Sequence, residues 1–109
     1  MRRAARTDSN QTEIVKALRA IGCSVQSLAA VGKGCPDLLV GWQGRNVLME
    51  IKDGDKCPSA RKLTEDETRW HAGWKGRVFV VKDVAGAIAA VQNRQAGVAK
   101  AGYKTGQEL

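Results

Sequence analysis

The sequence contains few of the side chains that hold soft metals or cross-link a small fold. Its 109 residues include one histidine, His71, and three cysteines, Cys23, Cys35 and Cys57. An odd number of cysteines without C-x-x-C spacing argues against both a zinc site and a disulfide framework, and favours reduced thiols. One histidine also leaves little room for histidine-based catalysis, and a lone histidine on a helix is usually a surface residue.

Long apolar runs are also missing. No stretch approaches the length that a membrane-spanning helix requires, so no membrane partner is expected. The basic start, Met1 to Arg6, lacks the apolar segment of a secretory signal, which predicts a cytoplasmic protein. With 109 residues and 43% hydrophobic content, the chain can form one compact domain but not two.

Basic residues are in excess. The formal charge of +7 favours binding to nucleic acid, because neutralising phosphates releases their condensed counterions. The alternative is a generally solvated basic surface.

Hydrophobic periodicity predicts an α/β fold. Helices are expected at 10–21, from Thr64 to Gly76, and after Asp83; strands at 24–31, 37–42, 45–52 and 77–82; a glycine-rich turn at 31–36; and a polar, basic loop at 53–62. Apolar residues on both faces of the central strands call for helices on both sides of a mixed four-stranded sheet, in the order α-β-β-β-α-β-α. The domain is expected to span residues 1–93, with a basic arm at 1–7 (Arg2, Arg3, Arg6) and a polar tail at 94–109.

Three charged residues share one face of the predicted hairpin. Glu50 and Lys52 are two apart on a strand and therefore project to the same side. A two-residue turn at Gln43-Gly44 would place Asp37 directly opposite Glu50, whereas a four-residue turn would place it opposite Lys52. Facing carboxylates repel each other unless a cation lies between them, so the pattern favours a Mg²⁺ site. The alternative is an ordinary Glu-Lys pair on an exposed strand.

A family resemblance rests on these residues. Gly34-Cys35-Pro36-Asp37-Leu38-Leu39-Val40, Glu50-Ile51-Lys52 and the helix start from Leu63 to Trp70 resemble the PD-(D/E)XK nuclease superfamily, and more closely its small stand-alone VRR-NUC domains of phages and bacteria. The likeness runs from about residue 8 to residue 92. It implies a restriction-endonuclease-like core, hydrolysis of DNA phosphodiester bonds with Mg²⁺ or Mn²⁺ and without a small-molecule cofactor, and similarity to Holliday-junction resolvases that form homodimers. The setting would be a bacterial or phage-infected cell.

The resemblance also extends the candidate site. It implies that Asp37, Glu50, the carbonyl oxygen of Ile51 and Glu13 hold the metal, with Lys52 as a catalytic partner. Glu67 lies where the family usually has glutamine near the site. Both added acids have another interpretation, because Asn10-x-x-Glu13 and Thr64-x-x-Glu67 are capping-box patterns.

Other residues are assigned by position. The expected DNA contacts are Lys33, Gly34, Arg45, Lys56, Arg61 and Lys62, which would position phosphates without reading the sequence. Trp70 and Trp74, four residues apart on a helix, are predicted to lie in the core rather than to stack on bases. Two alternatives to an endonuclease stay open: a non-catalytic nucleic-acid-binding protein, and a nuclease subunit that requires a partner.

Overall fold

The computed structural model describes residues 10–92. The expected basic arm with Arg2, Arg3 and Arg6, and the expected tail at 94–109, lie outside this range. The helices are α1 (Gln11–Ala20), α2 (Glu65–Gly73) and α3 (Val84–Gln92), the strands are β1 (Ser24–Ser27), β2 (Leu38–Trp42), β3 (Arg45–Ile51) and β4 (Val78–Val81), and a short 3₁₀ helix spans Pro58–Arg61. The order of helices and strands is the predicted one. The 3₁₀ turn falls in a segment predicted as loop.

The β2–β3 hairpin has the predicted two-residue turn. Trp42 pairs with Arg45, and the antiparallel register continues to the pair Leu38–Met49. Gln43 and Gly44 both have positive φ angles, 48° and 81°, as a tight hairpin turn of this kind requires. Glutamine therefore accepts a conformation that asparagine adopts more easily, and the register is the one that the sequence predicts.

The sheet is mixed, with the strand order β1-β2-β3-β4. The pairs β1–β2 and β2–β3 are antiparallel, whereas β3 and β4 are parallel and are connected through α2. β1 is shorter than predicted, because the chain turns after Leu28, whose N–H donates to the Asp37 carbonyl and whose own carbonyl accepts from the Val31 N–H. The Ser27 hydroxyl accepts from the Ala29 N–H at 3.2 Å and stabilises that turn.

One face of the sheet carries the main core. α1 contributes Ile14 and Leu18, both completely buried, and α3 contributes its own apolar face. Every second residue of β2, β3 and β4 faces this side, and the buried ones are Leu38, Val40, Val47, Met49, Ile51, Phe79 and Val81. Helices α1 and α3 contact each other on this face. Glu50 and Lys52 point to the opposite face, where α2 lies against them. The sheet is thus flanked by helices on both sides, which confirms the predicted fold class.

Side chains fix where the helices begin. Thr64 and Glu67 form a reciprocal capping box at α2, and the Asp83 carboxylate accepts from the Gly86 N–H at 2.7 Å at α3. At α1, Asn10 makes no such cap. Its amide instead donates to the carbonyls of Lys52 and Lys82, at 3.4 and 3.0 Å. Asn10 therefore ties the start of α1 to the ends of β3 and β4.

Within residues 10–92, every helix is too short or too polar to cross a membrane.

Candidate active site

The hairpin brings Asp37 and Glu50 together. Asp37 directly precedes β2, and the register that pairs Leu38 with Met49 continues to place it across from Glu50. One carboxylate oxygen of Asp37 accepts a hydrogen bond of 2.7 Å from the backbone N–H of Ile51, beside Glu50. Pro36, which is buried and has no N–H to donate, fits at this strand end. The two acids therefore occupy the positions that hairpin geometry predicts.

Glu50 is held in an environment that disfavours its charge. It is 2% exposed, and burial together with the nearby carboxylates of Asp37 and Glu67 raises its pKa to about 10. Its Oε1 atom makes no hydrogen bond to any of the described residues. Two basic nitrogens lie near it without reaching hydrogen-bond distance, Lys52 Nζ at 3.9 Å from Oε2 and His71 Nε2 at 3.7 Å from Oε1. The protein alone thus leaves the charge of Glu50 poorly compensated.

Lys52 is oriented by α2. Its Nζ donates to Glu67 Oε1 at 2.8 Å, and the same oxygen accepts from the Thr64 N–H at 2.9 Å. Burial alone would raise the pKa of Glu67, but the hydrogen bonds from Lys52 and Thr64 outweigh it and lower the pKa. The capping box that the sequence pattern predicts at Glu67 is therefore present, and the same carboxylate contacts Lys52. A role of Glu67 in the active site stays a prediction.

The loop before Asp37 packs against the start of α2. Gly34 has a φ of +85°, and a Cβ atom there would lie 2.3 Å from the carbonyl oxygen of Asp66. Glycine is required at this position by the backbone of α2, and the expected DNA contact of Gly34 stays a prediction. The contact joins the strand that carries Asp37 to the helix that carries Glu67.

This contact predicts a large difference between two neighbouring glycines. Gly32→Ala places a Cβ in open space, so it should lose only about 1 kcal/mol of stability, from the strain of a φ of +73°. Gly34→Ala has a similar backbone strain and must also displace the backbone of Asp66. We therefore expect it to lose about 3 kcal/mol of stability or more. Urea unfolding measures both. Equal losses of stability in the two variants would show that the loop does not pack tightly against α2.

Glu13 is not brought to Asp37 and Glu50 by any described contact. It is exposed on α1, which packs on the other face of the sheet, and the capping box with Asn10 is absent. It lines a pocket of about 260 Å³ together with Asn10, Ile14, Asp53, Gly54, Asp55, Lys82, Asp83 and Val84. Its expected role as a metal ligand therefore stays a prediction without a supporting contact.

The expected DNA contacts are spread over the surface. Lys33, Lys56 and Lys62 are exposed, and Arg61 is half-buried. Arg45 lies five residues before Glu50 on β3, about 17 Å away along the strand, and its guanidinium donates to the Val91 carbonyl at the end of α3. Arg45 is thus engaged within the fold, at the far end of the hairpin from the candidate site.

Two features of α2 differ from the sequence predictions. His71 is 7% exposed rather than a surface residue, and its Nε2 lies 3.7 Å from Glu50 Oε1. Trp70 and Trp74 are outside the core cluster, and Trp74 is 43% exposed, so the prediction of two core tryptophans was wrong. The position of Glu67 could have indicated that His71 also faces the site, because residues four apart share one face of a helix.

Comparison with known proteins gives one decisive finding. A solved structure described as "VRR_NUC domain" is 27% identical to this chain, with a TM-score of 0.50; the alignment covers 78% of this chain and 97% of that one. The resemblance to VRR-NUC domains is confirmed. The chain has the VRR-NUC fold, α/β with a four-stranded mixed sheet and three helices, and the PD-(D/E)XK superfamily is consistent with it. No family model matches the sequence, and no curated protein matches it.

Proposed function

We propose that this protein is an endonuclease that hydrolyses DNA phosphodiester bonds with the help of Mg²⁺ or Mn²⁺. The observation that carries the proposal is the face shared by Asp37, Glu50 and Lys52 at the end of the hairpin. A VRR-NUC fold and a charge of +7 support the same substrate. A buried carboxylate with a raised pKa is typical of active sites, which supports catalysis over binding alone.

The donor atoms suit a hard divalent cation. Within residues 10–92, no group of three or more histidine, cysteine, aspartate or glutamate side chains is arranged as a metal site by itself. Mg²⁺ commonly takes one or two protein carboxylates and completes its shell with water and substrate phosphate. The hydrogen-bonded carboxylate of Asp37 and the unsatisfied Oε1 of Glu50 fit that requirement. We propose that they hold the cation with the Ile51 carbonyl oxygen.

The chain's own groups then have separate tasks. When bound, the cation would lower the pKa of a coordinated water and offset charge on the phosphate. Lys52 Nζ, held by Glu67, is placed beside Glu50 and can orient the attacking water or donate to a phosphate oxygen. Because Glu67 caps α2, the position of that ammonium group depends on the helix start.

The overall setting follows from charge and symmetry. We propose that exposed Lys33, Lys56 and Lys62 position the DNA backbone, and that the protein acts in the cytoplasm of a bacterial or phage-infected cell. Cutting both strands of a junction needs two sites, which a two-fold homodimer would supply. Branched DNA such as a Holliday junction is therefore a substrate to test.

The proposal predicts metal-dependent cutting that requires Asp37. Purified protein should cleave plasmid or four-way-junction DNA with Mg²⁺ or Mn²⁺, and EDTA should stop the reaction. Asp37→Asn should lower the rate by about 100-fold or more, because the uncharged amide is a poor ligand for a hard cation. Gel electrophoresis of labelled DNA measures both effects. Cutting that persists in Asp37→Asn or in EDTA would refute the proposed site.

A further inference from the structure

Two stacked indole rings lie at the C-terminal end of α2, Trp70 within the helix and Trp74 directly after it. The ring centroids of Trp70 and Trp74 are 4.6 Å apart, with an angle of 17° between the ring planes. Trp70 is half-buried, Trp74 is 43% exposed, and neither belongs to the core. Exposing a large aromatic surface to water is unfavourable, and such surfaces often mark binding sites.

These rings adjoin the candidate active site. Glu67 and His71 of α2 lie against Lys52 and Glu50, and Trp70 contacts His71 edge to face, with ring centroids 6.0 Å apart. Trp70 is three positions after Glu67, a rise of about 4.5 Å along the helix axis. A DNA strand whose phosphate reached Lys52 would therefore have neighbouring nucleotides within reach of the indoles.

The charges around the rings suit a polyanion. The three acids in the first turn of α2 are each paired with a cation: Glu65 and Asp66 with Arg69, and Glu67 with Lys52. Lys75 follows Trp74 directly in the sequence and is exposed, and Arg77 comes two residues later. An exposed cation, Lys75, thus lies beside the aromatic rings, a combination that proteins binding single-stranded nucleic acid use.

We propose that Trp74, supported by Trp70, stacks on an unpaired base of the DNA strand that enters the active site. This inference rests on the proposed function and adds a substrate class to it: DNA with unpaired nucleotides beside the cleavage position. A continuous duplex keeps both faces of each base stacked on its neighbours and offers none to an indole. Stacking on aromatic rings tolerates any base, so the contact would select structure rather than sequence.

Binding without cleavage tests the inference separately from catalysis. Fluorescence anisotropy in EDTA compares a labelled oligothymidine with a duplex of the same length. We expect Trp74→Ala to weaken binding to the single strand about 10-fold and binding to the duplex less than about 2-fold. Trp74→Phe should restore most of the loss, and Val31→Ala, at a residue that is 60% exposed, should change neither affinity.

Three outcomes would overturn the inference. The first is an equal loss for single strand and duplex, and the second is no loss for either. The third is a Trp74→Ala variant whose sedimentation shows a lost dimer with unchanged DNA preference, which would make the rings a contact between two copies of the chain. DNA cleavage is measured in a separate experiment with Mn²⁺. A protein that does not cut DNA but still loses single-strand binding in Trp74→Ala would refute only the proposed function.

Discussion

Lys52→Met is expected to lower the rate of DNA cleavage by about 100- to 1,000-fold with little change in DNA affinity. The substitution removes a positive charge that lies 3.9 Å from Glu50 and keeps an unbranched side chain of similar length. A group that stabilises charge developing only during the reaction contributes to kcat rather than to binding. Single-turnover cleavage with Mn²⁺, together with anisotropy in EDTA, separates the two quantities.

Two variants serve as controls for that result. Lys16→Met removes an exposed lysine from α1 and should leave cleavage unchanged. Glu67→Gln keeps an acceptor oxygen for Lys52 and Thr64 but removes the charge, so we expect it to retain cleavage within about 10-fold. A Lys52→Met protein that cuts at the wild-type rate would mean that Lys52 has only a structural role.

Glu50→Gln is expected to stabilise the metal-free protein at alkaline pH while abolishing cleavage. In the folded protein the pKa of Glu50 is about 10, whereas its ordinary value is 4.5. Between these values the folded state holds a proton that the unfolded state has lost. The free energy of unfolding therefore falls as pH rises, by at most about 1.4 kcal/mol per pH unit, and keeps its full value below about pH 4.5.

The variant lacks this titration. We expect Glu50→Gln to exceed the wild type by about 1–3 kcal/mol near pH 8 and to raise Tm by roughly 4–8 °C for each kcal/mol. Glu65→Gln, at an exposed acid on α2, should follow the wild-type pH dependence. Urea unfolding in EDTA from about pH 5 to about pH 9 measures all three proteins. Parallel wild-type and Glu50→Gln curves would show that Glu50 is not held protonated by the fold.

Local patterns predicted the parts of the site that belong to one hairpin. Side-chain alternation placed Glu50 and Lys52 on one face, and the Gln43-Gly44 turn set the register that brings Asp37 across from Glu50. These relations depend on neighbours in sequence. They needed no knowledge of how α2 packs, which explains why they agree with the structure.

Contacts made by α2 could not be derived in the same way. The apolar character of Trp70 and Trp74 indicated burial, but which face of α2 meets the sheet depends on the loop from Gly34 to Asp37 and on Lys52. The burial of His71 likewise depends on which face of α2 packs against the sheet. Glu13 shows the converse, since the family resemblance assigned it to the site but no described contact joins it to Asp37 or Glu50, and it lines a pocket with Asp53 and Asp83.

The central claim is that Asp37 and Glu50 hold one catalytic cation. Diffraction from crystals grown with Mn²⁺, recorded where manganese scatters anomalously, locates the ion directly. The account predicts a peak about 2.0–2.2 Å from carboxylate oxygens of both residues, with the Ile51 carbonyl oxygen at a similar distance. A peak only in the pocket of Glu13, Asp53 and Asp83, or none between Asp37 and Glu50 at saturating Mn²⁺, would contradict it.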